Sequence, residues 1–149
     1  MQETFRTAIA FNQDLSKWDV SSVTNFLSTF RSMAMFNQPL NSWDVSSVED
    51  MAYLFDDTDA FNQDISSWDM SSVTDVGDMF NKAMLSADNY VALLNNIVAD
   101  ELPDGLDFHR GCSETSEASD AIEEILVNDK SWLIEYNTEE ECVELFPTE

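Results

Sequence analysis

The chain has 149 residues, enough for one domain with its own core. Thirty acidic residues against three Lys and three Arg give a net charge of −24, with 44% hydrophobic and 11% aromatic residues. That charge repels nucleic acid and anionic membranes, the apolar fraction excludes a disordered acidic tail, and no apolar run reaches the roughly 18 residues of a membrane helix.

The charge suits a cationic partner, divalent cations or a saline medium. It is equally compatible with a heavily solvated surface that resists aggregation. The N-terminus lacks the basic start and apolar run of a signal peptide.

The first 85 residues repeat. Phe11, Phe36 and Phe61 stand 25 residues apart and open the segments FNQDLSKWDVSSVTNFLSTF, FNQPLNSWDVSSVEDMAYLF and FNQDISSWDMSSVTDVGDMF. Phe30, Phe55 and Phe80 close them, and Phe5 keeps the same spacing before Phe30. Met1 falls in register with Phe26, Met51 and Val76. The chain is therefore expected to start in mid-repeat, as part of a longer protein whose targeting signal lies upstream.

A fixed period of this size predicts a solenoid. In the second repeat, Leu40, Trp43, Val45 and Val48 follow leucine-rich-repeat spacing, with Trp in one Leu position. Trp43 and Val45 alternate with Asp44 and Ser46, as a strand does. Val48, Met51, Leu54 and Phe55 recur at three and four residues, which predicts a short helix with Ser47 as its N-cap and Asp50 in its first turn. The expected fold class is an α/β solenoid, leucine-rich-repeat-like. Parallel short strands should form one face and short helices the other, with an α/β cap at the C-terminal end.

Stacking should place Trp18, Trp43 and Trp68 in one interior row, with Phe11, Phe36 and Phe61 in a second and Phe30, Phe55 and Phe80 in a third. Asn12, Asn37 and Asn62, with Gln13, Gln38 and Gln63, are expected to satisfy turn backbone groups. The outward row is Lys17, Asp19, Ser21, Ser42, Asp44, Ser46, Ser67, Asp69 and Ser71. These nine are the candidate partner-binding residues. Three aligned carboxylates repel unless each is hydrogen-bonded locally or a cation sits among them. The following serines favour local bonding. No cofactor and no metal site are expected; calcium or a cationic ligand is the alternative for the row, though one Asp per strand falls short of calcium's six to eight oxygens. Asp56, Asp57 and Asp59 read as a solvated acidic loop.

After Phe80 the period stops. Ser86 is a helix N-cap, followed by the stripe Ala87, Tyr90, Leu93, Leu94, Ile97 and Val98, ending near Asp100. Pro103-Asp104-Gly105 is a turn, and Leu106 and Phe108 alternate like a strand. Ser119 is the expected cap of a second helix with the stripe Ala121, Ile122, Ile125 and Leu126. Trp132, Ile134 and Tyr136 form a second strand. The organisation read from this is repeats over 1–85, a capping region over 86–137 and an acidic tail over 138–149.

Cys112 and Cys142 both lie outside the repeats. In a secreted chain they would pair and add about 2–4 kcal/mol; in the cytosol they would be ordinary thiols. His109 is the sole histidine, and no H-E-x-x-H, G-x-G-x-x-G or P-loop pattern occurs. No catalytic constellation stands out.

FNQDLSKWDVSSVTN, its return as FNQDISSWDMSSVTD, and LSADNYVALLNN resemble the BspA-like surface leucine-rich-repeat family, also described as a lipoprotein-type repeat domain of unknown function. The resemblance covers about residues 1–137. Pro39 stands where the motif has the Asp of Asp14 and Asp64, and Phe26 and Val76 where it has the Met of Met51. The resemblance implies a secreted or surface-anchored, non-catalytic adhesion module that binds a protein or glycan through the exposed repeat face. The charge supports a second expectation, an acidic structural subunit docked against a basic protein surface. Neither involves nucleic acid or direct membrane insertion.

Overall fold

The computed structural model describes residues 1–113, 115–138 and 142. Of the expected acidic tail, only Thr138 and Cys142 fall within the described residues. The regular elements are α1 (Ala87–Ala99), β1 (Asp107–His109), α2 (Glu117–Lys130) and β2 (Leu133–Glu135).

This corrects the expected fold class. Among the described residues there are two helices and one open sheet of two short parallel strands, all after Ser86. No α/β solenoid forms, with neither a face of repeat strands nor a face of repeat helices. The helix expected at Ser47–Phe55 is a run of turns, with Leu54 N–H donating to Met51 O and Asp56 N–H to Tyr53 O. Tyr53 and Asp57 hold left-handed backbone (φ 56 and 57), as do Ser28, Ser32, Asp78 and Lys82 at the matching positions. A right-handed helix cannot run through such residues. Asp50 is not a helical residue; its carboxylate accepts from Ala52 N–H at 3.0 Å.

Every second N–H in these turns is directed to the next sequence unit instead. Phe26, Ser28, Phe30 and Ser32 donate to the carbonyls of Asp50, Ala52, Leu54 and Asp56. Met51, Tyr53, Phe55 and Asp57 donate to those of Asp75, Gly77, Met79 and Asn81. Asn25 with Asp50, and Asp50 with Asp75, form isolated parallel bridges. The Trp43–Val45 arm is joined to its neighbours by side chains rather than a strand ladder. Trp43 Nε1–H donates to Leu15 O and Trp68 Nε1–H to Leu40 O, both at 2.9 Å. Asn12 and Asn37 act as expected, their side-chain oxygens each accepting from a backbone N–H 25 residues on at 3.0 Å.

The core follows the aromatic rows. Phe30, Phe55 and Phe80 stack with centroids 5.7 and 5.5 Å apart. Phe36 and Phe61 lie parallel at 6.2 Å, and Phe11 sits 6.4 Å from Phe36. The tryptophan row is incomplete. Trp43 and Trp68 are buried at 4% and 1% exposure, whereas Trp18 is 46% exposed.

The C-terminal elements cover the open side of the last repeat. α1 forms as its sequence predicts: Ser86 caps it, and Tyr90, Leu93, Leu94 and Ile97 bury its stripe. Asn96 Nδ2 donates to Trp68 O at 2.7 Å, and Asp100 accepts from Met70 N–H at 2.6 Å. β1 continues alongside, with Phe80 N–H donating to His109 O. β1 and β2 pair in parallel, Phe108 opposite Ile134. The cap of α2 is Ser116; Ser119 is its third residue and completes a capping box. The expected α2 stripe is only partly a core face. Leu126 alone of it is fully buried, Ile122 packs partly buried against the core, and Ile125 is 46% exposed.

Candidate functional site

Each Asp of the outward row closes on the serine two residues later, because the short carboxylate reaches back to the turn it precedes. Asp19 Oδ1 accepts from Ser21 N–H and Oγ at 3.1 and 2.7 Å. Asp44 does so with Ser46 at 3.2 and 2.6 Å, and Asp69 with Ser71 at 3.1 and 2.5 Å. The serine hydroxyl, then the serine N–H, holds Asp19 and Asp69 below the usual carboxylate range. The three carboxylates are exposed.

The remaining row residues divide. Ser42 and Ser67 are exposed, but their hydroxyls donate to Ser16 O and Asn41 O of the preceding unit at 3.0 and 2.9 Å. Lys17 is exposed, and its charge acts on Asp14, whose carboxylate is lowered chiefly by its bonds to Ser16. The row is thus a fixed comb of anions with its hydroxyls committed internally. Its carboxylates are not among any three metal-ligating groups close enough to share an ion, among the described residues.

The loop read as solvated is partly buried. Asp56 is 2% exposed and pairs with Arg31 at 2.8 Å. Burial raises Asp56 despite that partner. Burial also raises Asp59, whose Oδ1 is enclosed without a hydrogen bond. Arg31 also lies 4.9 Å over the Tyr53 ring, and a hydrogen bond to Asp78 pushes the Tyr53 hydroxyl up.

Two features were not legible in the sequence. A cavity of about 240 Å³ is lined by Arg110, Gly111, Ser113, Tyr136, Asn137 and the Cys112–Cys142 disulfide. Arg110 stacks 4.9 Å over Tyr136, and Glu123 takes its charge at 2.9 Å while accepting from Tyr90 OH at 2.6 Å. Gly111 (φ 66) passes so close to Phe80 and Ala83 that a Cβ would collide with their carbonyl oxygens. The second feature is the convergence of Asp78, His109 and Glu135, with one ligating atom of each within 4.8 Å of the others. These residues come from a repeat, β1 and β2, so no local spacing announces them.

Twenty-five-residue units joined turn to turn, with an anionic comb outside and an α/β closure at one end, define a repeat-built protein. The chain belongs to the family described as Mycoplasma protein of unknown function, DUF285, whose model matches residues 1–92. That match covers the repeats and the start of α1; the leucine-rich-repeat assignment within the resemblance is not part of it. No curated protein and no solved structure matches the chain.

Proposed function

We propose that this chain is a non-catalytic binding module that engages a protein or glycan through the outward face carrying Asp19, Asp44 and Asp69. The observation that carries the reading is the comb itself. Three exposed carboxylates recur at 25-residue intervals, each fixed by its own serine turn. Preorganised charge loses little entropy on binding and steers a cationic partner electrostatically. The FNQD and WDVSSVT motifs further motivate kinship with BspA-like surface proteins, and with it an extracellular or cell-surface location. The Cys112–Cys142 disulfide supports an oxidising compartment.

The test is a pull-down against native extract and against matrix proteins and glycans, at low and high salt. The triple variant Asp19→Asn, Asp44→Asn, Asp69→Asn serves as comparison. Retention of a matrix protein or glycan that the triple variant loses supports the reading. Retention unchanged in the triple variant refutes it. The net charge of −24 favours a second reading, an acidic structural subunit docked on a basic neighbour. One stoichiometric intracellular partner released by salt would select that reading instead.

A further inference from the structure

We propose that Asp78, His109 and Glu135 bind a divalent transition-metal ion of the zinc class. The three donors reach one point from three separate parts of the chain. His109 and Glu135 are register partners across the parallel β1–β2 pair, so their side chains emerge side by side on one face. Asp78 is brought beside them because Phe80 N–H donates to His109 O, which sets the last repeat against β1. Asp78 and His109 are half-buried and Glu135 is exposed, which leaves an approach from solvent.

The separation suits one ion. Ligand atoms about 2.0–2.2 Å from a common tetrahedral zinc lie roughly 3.3–3.6 Å from one another, and all three here lie within 4.8 Å. Binding would draw the donors together by up to about 1 Å through side-chain rotation. Three protein ligands leave a position for water or for an atom of a partner. The donor set decides the class of ion. One imidazole nitrogen with two carboxylates suits zinc and its neighbours, whereas calcium needs six to eight oxygens. Tyr53, hydrogen-bonded to Asp78, supplies the outer contact that ligating carboxylates commonly have. The net charge of −24 raises the cation concentration at the surface.

Loading the ion changes the bond between His109 and Gly111. His109 Nδ1 accepts from Gly111 N–H at 3.0 Å, which places the ring proton of the neutral imidazole on Nε2. Ligation through Nε2 moves that proton to Nδ1, and ligation through Nδ1 displaces the Gly111 N–H. Either route breaks the Gly111 bond, so its amide reports on binding.

The sole histidine makes the test direct. Zn²⁺ is titrated into the intact disulfide-bonded chain, with excess Ca²⁺ present to occupy the acidic surface. The His109 ring and Gly111 amide are followed by NMR. Both should shift and saturate at one equivalent of Zn²⁺. His109→Gln should weaken binding by at least about 100-fold, and Glu135→Gln by about 10- to 100-fold. Ring signals that stay still while Zn²⁺ binds would assign the metal to surface carboxylates and overturn the proposal. So would absence of binding under excess Ca²⁺, or undiminished affinity in His109→Gln. The wild-type ring shift needs no variant to fold.

Discussion

Replacing Trp68 by Ala should be far more damaging than the same change at Trp18, although the two hold the same position in their repeats. Trp68 is 1% exposed and its Nε1–H donates to Leu40 O. A buried tryptophan removes about 150–250 Å² from water, worth roughly 4–6 kcal/mol at about 25 cal/mol per Å². Large-to-small core changes of this kind cost about 3–5 kcal/mol, and the abandoned Leu40 carbonyl adds to that cost. About 4–5 kcal/mol is therefore expected. Trp18 is 46% exposed, so about 2–3 kcal/mol follows from half the area. Urea unfolding followed by far-UV circular dichroism measures both. With a slope near 2 kcal/mol per M, the midpoints should fall by roughly 2–2.5 M and 1–1.5 M. Trp68→Phe keeps most of the apolar contact and removes the donor, so it should lie between the two. Equal midpoint shifts for the two alanine variants would refute the packing argument.

Reducing the Cys112–Cys142 disulfide, whose partners are separated by 30 residues, frees the segment containing α2 and β2. It should cost about 3–4 kcal/mol by loop entropy, read as a lower Tm with reductant; an unchanged Tm would mean the bond constrains nothing. Arg31→Ala strands the Asp56 carboxylate, now held at 2.8 Å. With Arg31 itself about one-third exposed, a loss of about 2 kcal/mol is expected at pH 7. The folded Asp56 carboxyl already lies above 3.8, so its contribution is present at low pH and lost as pH rises through its folded value. The Arg31→Ala penalty should therefore shrink on acidification from pH 7 toward pH 4. A penalty that grows on acidification would reverse the assignment of burial as the dominant cause.

Much of the order in this chain is local or periodic, and so was written in the sequence. The aromatic rows follow from the repeat, because equivalent side chains meet once equivalent backbones stack. α1 follows from Ser86 and a stripe at three- and four-residue spacing. The strands around Phe108 and Ile134 follow from alternation. Asp19, Asp44 and Asp69 closing on their serines follows from the short reach of the Asp side chain.

The same three- and four-residue spacing misled at Val48, Met51, Leu54 and Phe55. It shows only that these side chains share one side of the backbone, and successive turns satisfy it as well as a helix does. What decided between them was the destination of the N–H groups. A donor such as Met51 N–H finds Asp75 O in the next unit, and left-handed residues such as Tyr53 rule out a helix. Tertiary position also exposed Trp18 while burying Trp68, since an indole is covered only where another layer lies against it. It likewise brought Cys112 to Cys142, and Asp78 and Glu135 to His109. The sequence by itself determined the repeat, the apolar rows and the closing helix, because those depend on spacing along one chain. Hydrogen-bond partners 24 residues away, and side chains gathered from three elements, exist only once the layers are stacked.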